Sequence, residues 1–385
     1  MEVSWSIRSL LNPVVARLLI YGVNPFDLER VLRKIESVPL RNARQLESHW
    51  LESWEELAKV WAERTRAAVE QGNLVSARRM GMNICCCRLA QFLIGPGEVQ
   101  LRREIYEQYA ADYRSVCQHF EYPVHQVQIP LGGGAALRAL LHLPSGSTPK
   151  GCAAIFSGLG SCKEEMHTLA RLMVERGLAA LVPDMPGNGE TLFHGKVTCG
   201  ANNLSASYGA IADFIEGTAE LEGVGFGAVG LCMGGGYAYR ACSENERYSW
   251  CATLFPLFIS EQGARKTPAW MKRGAWYDLQ TGGKSEPEVF DELGWHDELS
   301  VKCPFFMAHS KHDNWMTLEQ AQVLYDNANT ADRELCLVDE EPVFVSGEST
   351  THSMPVGEQL AWVGPLMADW VSHRANAPAR TRSGA

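Results

Sequence analysis

The chain changes its hydrophobic rhythm near residue 121. Before that point apolar positions recur at helical spacing. Trp50, Trp54, Leu57 and Trp61 fall at i, i+4, i+7 and i+11 on one stripe, on a helix that Gly72 would end. A second helix is expected over 73–94, closed by Gly95, Pro96 and Gly97. A third places Tyr106, Tyr109, Tyr113, Cys117 and Phe120 on one face, and residues 24–27 read as a cap into a helix over 28–35. Aromatic stripes at this spacing are far more often core than ligand box, so these read as core or as surface packed on a second domain.

After residue 121 short apolar runs alternate with helical segments. Residues 126–129 and 137–143 flank Gly132, Gly133 and Gly134 as a hairpin. Runs follow at 152–156, 178–182, 226–231, 250–254, 304–308 and 334–338, with helices expected over 163–176, 204–216, 233–243, 318–327 and 356–373. A hairpin followed by repeated strand–helix units predicts an α/β fold, a mostly parallel sheet with helices on both faces. The expected division is a helical module at 1–120, a catalytic α/β domain at 121–374, and a disordered polar tail at 375–385.

Composition narrows the function. The 385 residues carry a net charge of −10, which offers no basic footprint for nucleic acid and no attraction to anionic membranes. The apolar stretch 13–23 is too short to span a bilayer and is interrupted by Arg17. The start of the chain lacks the basic region of a secretion signal, so a cytoplasmic protein is expected. Its 12 cysteines are scattered, three of them consecutive at Cys85, Cys86 and Cys87, and none forms a Cys-x-x-Cys pair. They read as reduced thiols, with no structural zinc, no other metal and no organic cofactor implied.

One turn carries the chemistry. Gly230, Leu231, Cys232, Met233, Gly234 and Gly235 follow an apolar run and open a helix, the pattern of a nucleophile elbow with cysteine at its apex. The Met233 N–H would lie at the first turn of that helix, placed to stabilise an oxyanion. A second N–H is expected from the loop 157–165, with Leu159 favoured and Gly160 as the alternative. In this fold the order is nucleophile, acid, histidine. Asp313 follows the run at 304–308, and His352 precedes the final helix. His352 would take the thiol proton while Asp313 orients the imidazole. Asp313 also suits a plain turn, His309 and His312 are alternative imidazoles, and Asp339, Glu340 and Glu341 are rival acids. Residues 225–230 match the G-x-G-x-x-G dinucleotide fingerprint, but the match is itself the strand leading into the elbow and has little weight.

From Gly151 onward the chain resembles an α/β-hydrolase, and residues 229–235 resemble the cysteine elbow of dienelactone hydrolases. The whole chain is similar to the branch holding dihydroxypseudooxynicotine hydrolase, the fungal heptaketide hydrolases and the respiration-switch esterases. The helix of Trp50 and Trp54, residues 157–165 and residues 182–189 carry that resemblance. It implies an N-terminal helical cap over the active site, hydrolysis of β-diketone C–C bonds or esters, and homodimers. That branch usually carries serine where this chain has Cys232, which bears on the outcome. A cysteine acylates readily, and its thioester can pass to an amine, thiol or alcohol before water arrives. Three readings compete: a hydrolase, an acyltransferase or cyclase acting on a small-molecule or carrier-bound acyl chain, and a silent binding protein. Residues 256–300 are expected to join the N-terminal helices as a lid, with Glu261, Trp270 and Trp276 as possible pocket residues.

Overall fold

A computed structural model describes residues 7–39, 42–94, 98–158, 160–258, 279–313, 315–340 and 353–375. Five helices come first: α1 (Ile7–Tyr21), α2 (Pro25–Glu36), α3 (Ala43–Glu70), α4 (Leu74–Leu93) and α5 (Val99–Cys117). The Asn24 side chain accepts from the Phe26 N–H and caps α2, and Asn42 does the same for α3 through Gln45. The stripe of α3 turns inward as its spacing requires, burying Trp50 and Trp54 completely, and the Trp50 indole donates to the Ala90 carbonyl of α4 at 2.7 Å. Residues 13–23, which the sequence set only against the length of a membrane span, belong mostly to α1. No described helix is long and apolar enough to cross a membrane.

The sheet has eight strands: β1 (Val124–Gly132), β2 (Ala135–His142), β3 (Cys152–Phe156), β4 (Ala179–Pro183), β5 (Phe226–Leu231), β6 (Cys251–Leu254), β7 (Phe305–Ser310) and β8 (Arg333–Val338). Their order is β1-β2-β4-β3-β5-β6-β7-β8. β2 runs antiparallel to both β1 and β4, and the remaining pairs are parallel. This is the mostly parallel sheet with helices on both faces that the alternating runs predict, preceded by a helical region. The helices among the strands are α6 (His167–Val174), α7 (Gly189–Phe193), α8 (Ala201–Gly217), α9 (Met233–Glu244), α10 (Glu286–Leu293), α11 (Leu318–Asp326) and α12 (Ser353–Ala375).

The pleat of the strands sorts the core into two halves. Ala153, Ile155, Val182, Val229, Leu254 and Phe306 face one half, which is completed by α6, α12 and all five N-terminal helices. Ala154, Phe156, Leu181, Ala228, Phe305 and Met307 face the other, completed by α8, α9, α10 and α11. The N-terminal helices therefore share one continuous core with the sheet.

That core also encloses two histidines. His142 and His167 have ring centroids 6.4 Å apart, and the Tyr113 hydroxyl shares a 2.9 Å hydrogen bond with His167 Nδ1. Burial pushes both imidazoles down to about 3, so both are neutral at physiological pH.

Candidate active site

β5 and β7 run in the same direction with β6 between them, so Cys232 and Asp313 leave the sheet at the same, carboxyl end of its strands. Cys232 sits between the last residue of β5 and the first of α9. Its backbone has φ 59° and ψ −127°, a left-handed conformation that a non-glycine residue holds only where its surroundings enforce it. Those surroundings are backbone. The Cys232 N–H donates to Leu254 O at 3.0 Å, and its carbonyl accepts from Gly235 at 2.8 Å and Leu257 at 3.0 Å.

The glycines of the motif each have a steric reason. A Cβ on Gly230 would overlap the Gly234 carbonyl, and one on Gly234 would overlap the Phe156 carbonyl. One on Gly235 would come within 2.8 Å of the Pro256 Cα. Strand, turn and helix pack too closely for side chains at these positions, as a nucleophile elbow requires. Cys232 is half-buried, and Met233 opens α9, where the first backbone N–H groups have no intrahelical acceptor.

The loop after β3 forms the facing wall. A Cβ on Gly158 would lie 3.2 Å from the Cys232 Cβ and 3.4 Å from its sulfur, a tight approach that glycine relieves. Beyond it the sequence reading of one helix over 163–176 is corrected. Lys163–Met166 forms a tight 3₁₀ turn, and α6 begins only at His167. The cause is the Asp184 carboxylate, which accepts from the Lys163 N–H at 2.7 Å and from its ammonium at 3.1 Å, drawing the turn toward β4.

Lys163 is the centre of a buried ionic cluster. Its ammonium lies 2.8 Å from Glu164, 3.1 Å from Asp184 and 2.7 Å from Glu190, and Tyr106 of α5 reaches Asp184 at 3.0 Å. Burial opposes the lysine charge, but three carboxylates outweigh it and hold Lys163 above the ordinary lysine range. Burial likewise pushes the Glu164 carboxyl up, against the pull of Lys163. A second ion pair crosses nearby. Arg17 of α1 donates from Nε to Glu165 at 2.8 Å and from Nη2 at 2.5 Å, and Ser161 donates to the same carboxylate at 2.5 Å. Burial works against the Arg17 cation, yet Glu165 holds it charged. A side chain from the N-terminal helices thus pairs with the segment after β3, whose Gly158 stands against Cys232.

Asp313 follows β7 and is almost wholly buried, at 4% exposure. Its carboxylate accepts from the Trp315 N–H at 2.8 Å and the Met316 N–H at 3.2 Å, which fixes the side chain rather than leaving it as a loose turn residue. The rival imidazoles are engaged elsewhere: His309 Nε2 meets the Met316 carbonyl at 3.0 Å, and His312 Nε2 meets that of Asp339 at 2.9 Å. His352, Leu159, Glu261, Trp270 and Trp276 lie outside the described residues. Cys232, Met233 and Asp313 are thus found at the carboxyl end of the parallel strands, while Arg17, Lys163 and Asn188, on or against the loop after β3, are residues that sequence reasoning did not single out. The G-x-G-x-x-G match at 225–230 lies along β5 itself and does not open a helix. A groove of about 510 Å³ between the end of α5 and β1 shares no lining residue with the Cys232 turn. None of the 12 cysteines is joined in a disulfide, and no group of metal-ligating side chains is gathered among the described residues.

Comparison with known proteins agrees with this architecture. The model of the FrsA-like esterase family matches residues 40–257. The 2,6-dihydropseudooxynicotine hydrolase of Paenarthrobacter nicotinovorans is 24% identical over 279 residues, covering 70% of this chain and 72% of that enzyme. The crystal structure of a 2,6-dihydroxy-pseudo-oxynicotine hydrolase superposes with a TM-score of 0.76 at 18% identity, covering 95% of this chain and 98% of the other. Wild-type AbyA5 superposes with a TM-score of 0.63 at 18% identity, over 90% and 89% of the two chains. With the elbow, the strand order and the family match in agreement, the chain is a hydrolase of the α/β-hydrolase type and belongs to the FrsA-like esterase family.

Proposed function

We propose that this enzyme cleaves an ester, lactone or β-diketone bond of a polyketide-like or aromatic small molecule, free or carrier-bound, through an acyl-thioester on Cys232. His352 takes the thiol proton, and the sulfur bonds to the substrate carbonyl carbon as the π pair moves onto oxygen. The oxyanion is held by the N–H groups of Met233 and Leu159. Collapse expels the alcohol or enol, which takes the proton from His352 and leaves the acyl group on sulfur. Water then attacks the thioester, giving a proton to His352, and collapse returns that proton to sulfur and releases the carboxylic acid. Asp313 orients the imidazole and stabilises its charge in both halves.

The observation that carries this reading is the strained backbone of Cys232, at φ 59°, where a merely structural cysteine gains nothing from the strain. The relatives named as hydrolases and the backbone-anchored Asp313 support it. In the same proposal the N-terminal helices cap the site, which the Arg17–Glu165 pair supports, and Glu261, Trp270 and Trp276 line the pocket.

The test is intact-protein mass after mixing with an activated acyl thioester. Rapid turnover without an added acceptor supports hydrolysis. A persistent adduct on Cys232 moves the reading to acyl transfer, and the absence of both adduct and turnover overturns covalent catalysis.

A further inference from the structure

We propose that Asn188 is a positioning residue that sets the direction of the peptide facing Cys232, a role that rests on the nucleophile reading above. The Asn188 side chain is buried, with 3% exposure, and spends its amide on the neighbouring loop. Its Nδ2 donates to the Gly158 carbonyl at 3.1 Å and to the Ser157 hydroxyl at 3.3 Å. Gly158 is the residue that stands against Cys232, within 3.4 Å of the sulfur for a Cβ placed there. Asn188 therefore grips the backbone at the point where it forms the wall of the reacting centre.

The consequence follows from peptide geometry. In a trans peptide the C=O and the N–H that follows it point in opposite directions. Whatever holds the Gly158 carbonyl decides where the next N–H is aimed, and that N–H is the second oxyanion donor of the proposed chemistry. Gly158, having no side chain, offers less resistance to turning of the plane that follows it than any other residue would. Without the Asn188 amide the Gly158 carbonyl retains the longer 3.4 Å bond from the Ser161 N–H of its own loop, so the plane is held less firmly and can present a carbonyl oxygen where the oxyanion forms, opposing acylation.

Asn188 is itself held in place. Its N–H donates to Met185 at 2.9 Å, and the flanking Gly187 donates to Val197 at 2.9 Å with φ 89°. On the other side a Cβ at Gly189 would overlap the Asp184 carboxylate, which Lys163 anchors. The turn is thus built around the ionic cluster and extends the asparagine toward the loop after β3.

The test separates acylation from thiol reactivity. Alkylation of Cys232 by iodoacetamide displaces iodide and forms no oxyanion, whereas release of p-nitrophenolate from p-nitrophenyl acetate does pass through one. Asn188→Asp keeps the shape but cannot donate, and Asn188→Ala is the second variant should the buried carboxylate unfold the chain. Either variant that melts cooperatively should lose about 10- to 100-fold in kcat with KM little changed. The rate of Cys232 alkylation should remain at the wild-type level. Equal losses in alkylation and turnover would reduce Asn188 to a general packing role and overturn the proposal. So would an unchanged kcat in a folded variant while Cys232→Ala is inactive. A Cys232→Ala protein that releases p-nitrophenolate as fast as the wild type, or a wild type that releases none, removes the nucleophile reading itself.

Discussion

Arg17 of α1 clasps Glu165, 148 residues away in the loop after β3, through two parallel hydrogen bonds of 2.8 and 2.5 Å. The side chains are 21% and 9% exposed, so the pair is only partly screened by water. Removing Arg17 leaves Glu165 with Ser161 as its remaining side-chain donor among the described residues. Arg17→Ala should destabilise the protein by roughly 1–3 kcal/mol, because an uncompensated, mostly buried carboxylate is left behind. A double-mutant cycle with Glu165→Gln, read by urea unfolding, should recover a coupling energy of at least about 0.5 kcal/mol. Strict additivity would show that the pair holds nothing together.

Deleting residues 1–120 should yield an insoluble or inactive protein. The sheet face that carries Ile155, Val229 and Phe306 shares its core with Trp50, Trp54 and Tyr109, and truncation would expose it to water. A soluble, fully active fragment would mean that the helices neither complete the core nor cap the site.

Among the 12 thiols Cys232 should alkylate first. Burial pushes Cys85, Cys87 and Cys162 well above the usual thiol range, and Cys86 and Cys152 up to about 12, so these are protonated and enclosed. Peptide mapping at low iodoacetamide excess should find Cys232 labelled ahead of the rest, with activity lost in step. Cys232→Ser should fold and turn over much more slowly, since the hydroxyl needs full general-base help in the attack.

His352→Ala should lower turnover by several powers of ten, and Asp313→Asn by somewhat less. Asparagine can still accept from Trp315 and Met316, so the loop should keep its shape while the negative charge is lost. Steady-state kinetics of both variants checks this. A wild-type rate in His352→Ala would transfer the role to His309 or His312.

The buried histidines make stability depend on acid. Their native values near 3 lie below that of an unfolded imidazole, so the unfolded chain binds more protons over the interval between. Stability should fall as pH drops below about 6.5, by up to about 1.4 kcal/mol per unit for each histidine. The raised Glu164 carboxyl is common to the wild type and to a histidine variant, so the difference between the two isolates the imidazole. His142→Phe removes one of the two imidazoles, and its ring nitrogens have no hydrogen-bond partner to forfeit. Denaturant midpoints for the variant should therefore show a shallower slope across that interval, and an unaltered slope would contradict the assignment.

Much of this molecule is legible in its sequence where neighbours in the chain are also neighbours in space. Cys152–Phe156 and Phe226–Leu231 are apolar runs buried on both sheet faces, and their strand boundaries fall where the runs do. The Cys232 turn is legible because strand, nucleophile and helix are contiguous in the chain, although the limits on Gly234 and Gly235 come from Phe156 and Pro256 on other segments. Arg17 reads only as a charge interrupting an apolar stretch, since its partner lies far along the chain. Asn188 looks like one more residue of a glycine-rich turn, and the bonds that give it meaning run to another loop. The 3₁₀ start before α6 is hidden for the same reason, because Asp184 imposes it from the loop that follows the end of β4.

Lys163 has one more consequence. Only 2% of it is exposed, and it is shut in by three carboxylates and the phenol of Tyr106 where α5 meets the loops after β3 and β4. An ammonium so enclosed is beyond the reach of acylating reagents until that seam parts. Its acetylation therefore runs as a clock for the breathing of the junction, ticking once for each opening long enough to admit the reagent.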